Sequence, residues 1–234
     1  MASKLLNVLA YTLIPVAAAT VGGGIAAWRT PGPKLKSVVQ HFAAGVVFAA
    51  AAGELLPDLV HEKSLPATII GGAFGVAVML AVKQLVKKAS GSISLIATVG
   101  VDVLIDGLII GIGFAAGAKE GILLTIALTI EILFLSLSVS TTLSQANASR
   151  TRVMITTLGI ALLLPLGAVI GSALLGGLSG FSLATFLAFG LVALLYLVTE
   201  ELLVEAHEIP DTPLTVAIFF VGFLVLIVIE EMLQ

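Results

Sequence analysis

Glu54 to Glu62 reads ELLPDLVHE, and Glu201 to Glu208 reads ELLVEAHE. The second phrase follows the first by 147 residues, and both close apolar stretches. A carboxylate deep in hydrocarbon costs about 2.5–3.5 kcal/mol even on the lenient insertion scale. An apolar chain that twice keeps an acidic, histidine-ended phrase is holding it against that cost, which points to function and to a repeated architecture.

The rest of the sequence sets the solvent. Of 234 residues, 59% are hydrophobic and 11% charged, with a mean hydropathy of +1.20. Soluble domains carry about a quarter charged residues, so the composition is that of an integral membrane protein. The absence of cysteine excludes disulfides, thiolate metal sites and cysteine nucleophiles. No basic patch with interleaved aromatics supports nucleic-acid binding. No phosphate-binding glycine loop or soluble nucleotide domain is present, which argues against ATP-driven pumping. No nucleophile and base pairing suggests an enzyme, and nothing calls for an organic cofactor. The apolar start, Leu5 to Trp28, is too long for the core of a signal peptide and is followed by no polar mature segment, so it reads as a first span.

Apolar runs of about 20 residues, the length a bilayer requires, fall near 5–28, 38–60, 65–86, 92–117, 121–144, 152–178, 181–204 and 213–233. The breaks carry turn residues: Thr30-Pro31-Gly32-Pro33, Ser64-Leu65-Pro66, Ser90-Gly91-Ser92, Gln145-Ala146-Asn147 and Pro210-Asp211-Thr212-Pro213. The expected fold is all-α, one transmembrane domain over 1–234 with eight helices. Lys and Arg placement orients it. Arg29, Lys34, Lys36, Lys83, Lys87, Lys88, Arg150 and Arg152 share one side, and Lys4, Lys63 and Lys119 the other. That puts the first side in the cytoplasm of a plasma-membrane protein, with both termini outside.

Span 2 then runs outward and span 7 inward, so the repeated phrase points in opposite directions. Leu13-Ile14-Pro15-Val16-Ala17-Ala18 of span 1 and Leu163-Leu164-Pro165-Leu166-Gly167-Ala168 of span 6 form a second pair. Spans 3 and 8 offer no convincing match. The expected organisation is 3+2+3: a first repeat over 5–86, a central pair over 92–144, and an inverted second repeat over 152–233. Inverted repeats are characteristic of transporters that alternate access around a site near the midplane.

The central pair carries the acids such a site needs. Asp102 and Asp106 of span 4 are i and i+4, on one helical face and about 6 Å apart in elevation. Glu131 lies at similar depth in span 5, and neither helix has Lys or Arg in its interior. Three carboxylates at one depth repel one another. A bound cation is the simplest remedy, a shared proton the next, and a purely hydrogen-bonding role remains. Their hard oxygens suit magnesium, calcium or manganese, although zinc and iron also accept carboxylates. Beyond Glu131, Ser136, Ser138, Ser140, Thr141 and Ser144 either line a wet exit or allow close helix packing. Glu54 and Glu201 open the repeated phrases and are deep enough to join the central acids from opposite sides. Asp58, His61, Glu205 and His207 follow them, either as ligands at the two mouths or as polar helix ends reaching water, and His41 reads as interfacial. Gly107 and Gly111 suggest tight packing of span 4 on a neighbour.

These residues resemble the ZIP (Zrt-, Irt-like) family of divalent-metal transporters over nearly the whole chain. Leu55-Leu56-Pro57-Asp58 is similar to the family's span 2 ending, Glu200 to His207 to its Glu-Glu-Leu-x-x-Glu-Ala-His phrase, and Pro165 to Ala168 to its Pro-x-Gly-Ala segment. The resemblance implies the eight-span scaffold, a metal ion as substrate and a homodimer in the lipid. At the family's metal site this chain departs. Asp102 stands at the usual His, Val103 at the Asn, and Asp106-Gly107 match the acid-Gly. In span 5, Glu131 retains the acid while Ile130 and Phe134 replace its ligand neighbours, and Leu164 stands where a glutamate often precedes the proline. The expectation is therefore a secondary carrier of a divalent cation with a sparser, carboxylate-only centre. That centre comprises Asp102, Asp106 and Glu131, joined by Glu54 or Glu201. The alternatives are a ZIP-like protein that moves protons or another cation, and a metal sensor without flux.

Overall fold

A computed structural model describes residues 2–28, 32–87, 92–175 and 178–233, and these are helical with no strand among them. The expected breaks at Thr30-Pro31 and Ser90-Gly91, and the basic residues Arg29 and Lys88, lie outside the described residues. Among the described residues, eight helices are long and apolar enough to cross a membrane. They are α1 (Ala2–Trp28), α2 (Pro33–His61), α3 (Leu65–Lys87) and α4 (Ser92–Ala116). Then come α5 (Ala118–Gln145), α6 (Arg150–Ala161 continued by Leu163–Leu175), α7 (Phe181–Ala206) and α8 (Pro213–Met232). Helix α2 starts five residues before its apolar run. Pro33 is pre-set for a first helical turn, and Lys34 and Lys36 extend that turn beyond the hydrocarbon.

Local chemistry explains the ends and interruptions. Ser149 accepts from the Arg152 N–H at the start of α6. Pro165 has no N–H to give the Ala161 carbonyl and crowds it, and α6 breaks at Leu162. Thr212 and Thr215 cap α8 reciprocally: Thr212 Oγ1 accepts from the Thr215 N–H at 3.2 Å, and Thr215 Oγ1 from the Thr212 N–H at 2.8 Å. Thr212→Ala is expected to cost about 1 kcal/mol, read as a fall of a few degrees in thermal unfolding in detergent.

Two helices contain one wider π turn each, Ala51–Leu55 in α2 and Val198–Leu202 in α7, again 147 residues apart. Pro57, which follows the first, would crowd the Gly53 carbonyl in a regular helix. The second is followed by Val204 at the corresponding position, so proline does not account for both.

Helix α1 packs on α5, α4 on α6, α2 on α8 and α3 on α7. Within lipid, apolar burial does not drive helices together, and small residues that let backbones approach do much of the work. A Cβ on Gly222 would strike the Phe42 carbonyl, and one on Gly75 would come within 3.2 Å of the Phe189 carbonyl. These are one contact moved along the chain by 147 residues. So are Gly45 against Phe219 and Val192 against Gly72. Pro66 and Pro213, and Thr68 and Thr215, keep the same register. Helices α3 and α8 thus share turn starters and glycine contacts at one offset, though not an apolar pattern. They are also the outermost helices. Their most apolar windows are 22% and 17% buried, against 67% for α4, which runs through the centre.

Candidate carboxylate centre and its approaches

Asp102 and Asp106 of α4 and Glu131 of α5 are all buried, with Glu131 wholly enclosed. Asp102 Oδ1, Asp106 Oδ2 and both Glu131 oxygens are shielded and lack any hydrogen-bond partner in the protein. Helix α4 brings its two aspartates to one face, as the i, i+4 spacing requires, and α5 crosses with Glu131 toward them. The fourth member comes from α7. Its π turn delivers Glu201 to hydrogen-bonding range of Asp102 and into the electrostatic neighbourhood of Asp106 and Glu131. A π turn carries one residue more than an α turn and re-aims the side chains around it, a device frequent at functional sites.

No ion pair reaches Asp102, Asp106 or Glu131 among the described residues; Lys83, whose field reaches Glu201, is paired with Glu200 at 2.6 Å. Two like charges 4 Å apart repel by about 4 kcal/mol at an effective dielectric of 20. Several carboxylates in one dry enclosure are a strong attractant for a cation. The central acids do not bring three donor atoms within 4.8 Å of one another. Closing on an ion would therefore take a further inward movement of these side chains.

Of the five acids singled out in the sequence, four gather here, and Glu54 does not. It is buried in the π turn of α2 with Oε1 unpartnered, but its charged neighbours are Glu230, Lys119, Glu120 and Asp58. Lys119, which the sequence offered only as an orienting charge, pairs with Glu230 at 2.9 Å across that mouth.

The opposite mouth, where α2 begins and α7 ends, opens into a cleft of about 580 Å³. Phe134, Ser138 and Thr142 line its α5 wall, at three, seven and eleven residues after Glu131 and hence on the same helical face. Thr141 lines it too, while Lys36, Gln40 and Glu208 stand at its rim. Two of the α5 hydroxyls named in the sequence, Ser138 and Thr141, thus face the cleft. Ser140 is instead buried 3.2 Å from the Thr157 hydroxyl, packing α5 on α6. The cleft stops at Phe134, one turn short of the carboxylates.

A family model described as "ZIP Zinc transporter" matches residues 81–230, and no curated protein sequence matches the chain. The matched stretch covers more than half of the chain and contains all four gathered acids, the second π turn and the Lys36-side end of α7. Family match, eight apolar helices and a charged centre agree, and the chain belongs to the ZIP zinc transporter family, multi-pass membrane proteins that move divalent metal ions.

Proposed function

We propose that this protein carries a divalent cation across the plasma membrane by alternating access, holding it midway on Asp102, Asp106 and Glu131, with Glu201 as the ligand from α7. The observation that carries this reading is the meeting of three buried acids with unpartnered oxygens, Asp102, Asp106 and Glu131, with half-buried Glu201 beside them, one helical turn from a cleft lined in part by hydroxyls. In this proposal α1–α3 and α6–α8 are inverted repeats around the central pair α4 and α5. Their relative rocking exposes the ion first to one mouth and then to the other. The Lys36 mouth faces the cytoplasm, both termini lie outside, and the protein works as a homodimer. Glu54 serves the opposite mouth, where the Lys119–Glu230 pair stands beside it.

The all-oxygen donor set favours hard cations such as manganese or magnesium over softer ones. The test is uptake into proteoliposomes of manganese, zinc, iron, cobalt, cadmium and magnesium, with Glu131→Gln beside the parent. Saturable flux of any of them that falls at least tenfold in the variant supports the proposal. No flux from folded, inserted protein overturns it. Proton movement alone would make it a proton carrier, and binding without flux a sensor.

Phe134 closes the cleft against the centre and should act as a plug. Phe134→Ala is expected to raise flux severalfold if release through this mouth limits the cycle, and to weaken discrimination among cations. Initial rates for two competing cations check both.

A further inference from the structure

We propose that His41, His207 and Asp211 form a second divalent-cation site, for zinc, cobalt or nickel, which clamps the start of α2 to the turn after α7. The site goes beyond the carrier reading and does not depend on flux. The side chain of His41 is only 2% exposed. Its Nδ1 lies 2.9 Å from the Ser37 carbonyl, a contact that only an N–H can satisfy. In the neutral ring that fixes the tautomer and leaves the lone pair on Nε2, which is buried and lacks a hydrogen-bond partner. Nε2 faces Asp211 Oδ1 at 3.7 Å. A lone pair aimed at a carboxylate oxygen is an unfavourable contact that a cation between them, a proton or a metal ion, reverses.

The other side chains complete a donor set. His207 Nε2 lies 3.0 Å from Asp211 Oδ2, and the two imidazole rings stand nearly perpendicular with centroids 5.2 Å apart. One donor atom from each of the three residues lies within 4.8 Å of the others, a closure no other His, Asp or Glu trio among the described residues achieves. Tetrahedral ligands at zinc distances stand roughly 3.3 Å apart. His207 and Asp211 sit on an exposed turn that can close the difference of up to about 1.5 Å, and a water would supply the fourth position.

The surroundings leave the site available. Lys36 engages Glu205 at 3.3 Å and Glu208 at 3.4 Å, and Gln40 donates to Glu205. The neighbouring acids are thus occupied while Asp211 faces the imidazoles. The Ser37 carbonyl plays the orienting part that backbone carbonyls commonly play for metal-bound histidines. Two imidazoles make this a borderline site, unlike the all-oxygen centre. It has no counterpart at the other mouth: shifted by 147 residues, the three positions hold Ala188, Val60 and Ser64.

The test is cobalt(II) titration of the purified full-length protein, read by visible d–d absorption, which is intense for tetrahedral nitrogen-containing coordination and weak for octahedral oxygen. Asp106→Asn serves as a background in which the central acids are weakened. The expected result is one cobalt with the intense signature in that background, displaced by zinc but not by magnesium. His207→Ala should weaken it by roughly tenfold or more, as loss of one of three protein ligands implies. His207 is exposed, so this variant tests the site even if the buried His41→Ala variant does not fold. Absence of the signature overturns the proposal, as does a cobalt affinity unchanged by His207→Ala. Cobalt binding lost in Asp106→Asn but retained in His207→Ala overturns this site while supporting the carrier centre.

Discussion

Asp106→Asn is expected to cut metal flux more than tenfold while leaving the protein folded. The substitution keeps the side chain's size and one oxygen but removes a negative charge at the point where α4, α5 and α7 meet. Both Glu131 and Glu201 lie within electrostatic reach of Asp106, so its charge contributes to the field felt by an ion anywhere in the enclosure. A tenfold loss corresponds to about 1.4 kcal/mol, less than a single close ion contact contributes in a poorly solvated site. Glu54→Gln makes the useful contrast. Glu54 is as little exposed as Asp106, but it lies less deep and its charged neighbours belong to the other mouth. Its loss should slow access and change the substrate concentration at half-maximal rate, without erasing transport. Initial-rate uptake over a range of metal concentrations separates the two effects. Full flux in Asp106→Asn would sink the carboxylate centre as the place where the ion is held.

Gly107→Val should be among the most damaging single changes to the fold. A Cβ at Gly107 would strike the Leu164 carbonyl and lie 3.0 Å from both the Ala168 nitrogen and the Gly167 Cα. Conversely, a Cβ at Gly167 would strike the Leu104 carbonyl. Each glycine is the hollow into which the other helix's backbone fits, and no flexible side-chain end can move aside. Overpacking typically costs 1–3 kcal/mol. Here the obstruction is backbone on both sides and α4 must shift as a whole, so a loss of about 3 kcal/mol or more is expected. Thermal unfolding and size-exclusion behaviour in detergent measure it. Gly159→Ala is the control, since nothing lies within 4 Å of its added Cβ. It should be neutral or slightly stabilising, because alanine favours helix over glycine. If Gly107→Ala folds at all, it should also impair flux, because pushing α4 away from α6 displaces the neighbouring Asp106.

The eight helices were legible because a bilayer demands long apolar runs and this chain punctuates them with proline, glycine and asparagine. The pairing of Asp102 with Asp106 followed from helical period, and their meeting with Glu131 from equal depth. The unequal fates of Glu54 and Glu201 were not legible. The repeated phrase presents them as equivalents, and both lie in π turns that no local signal announces. What separates them is the surroundings. Lys83 and Glu230 occupy the same position in the 147-residue register. Yet Lys83 pairs with Glu200, while Glu230 lies against Gly53, the residue in register with Glu200, and takes Lys119 instead. Opposite charges at matched positions give the two mouths different electrostatics, which single-helix patterns cannot reveal. The burial of His41 was hidden for a related reason. A histidine near a helix start looks wet until the turn carrying Asp211 is folded over it.

The two π turns also carry a chronology. A π turn holds one residue more than the α turn it replaces. Both helices hold theirs at one register, one before a proline and one before a valine. On the proposed doubling, the extra residue is older than the second copy. Held by both copies, the turn would belong to the unit that was doubled, and Lys83 and Glu230, opposite charges at matched positions, to what each copy would since have made its own.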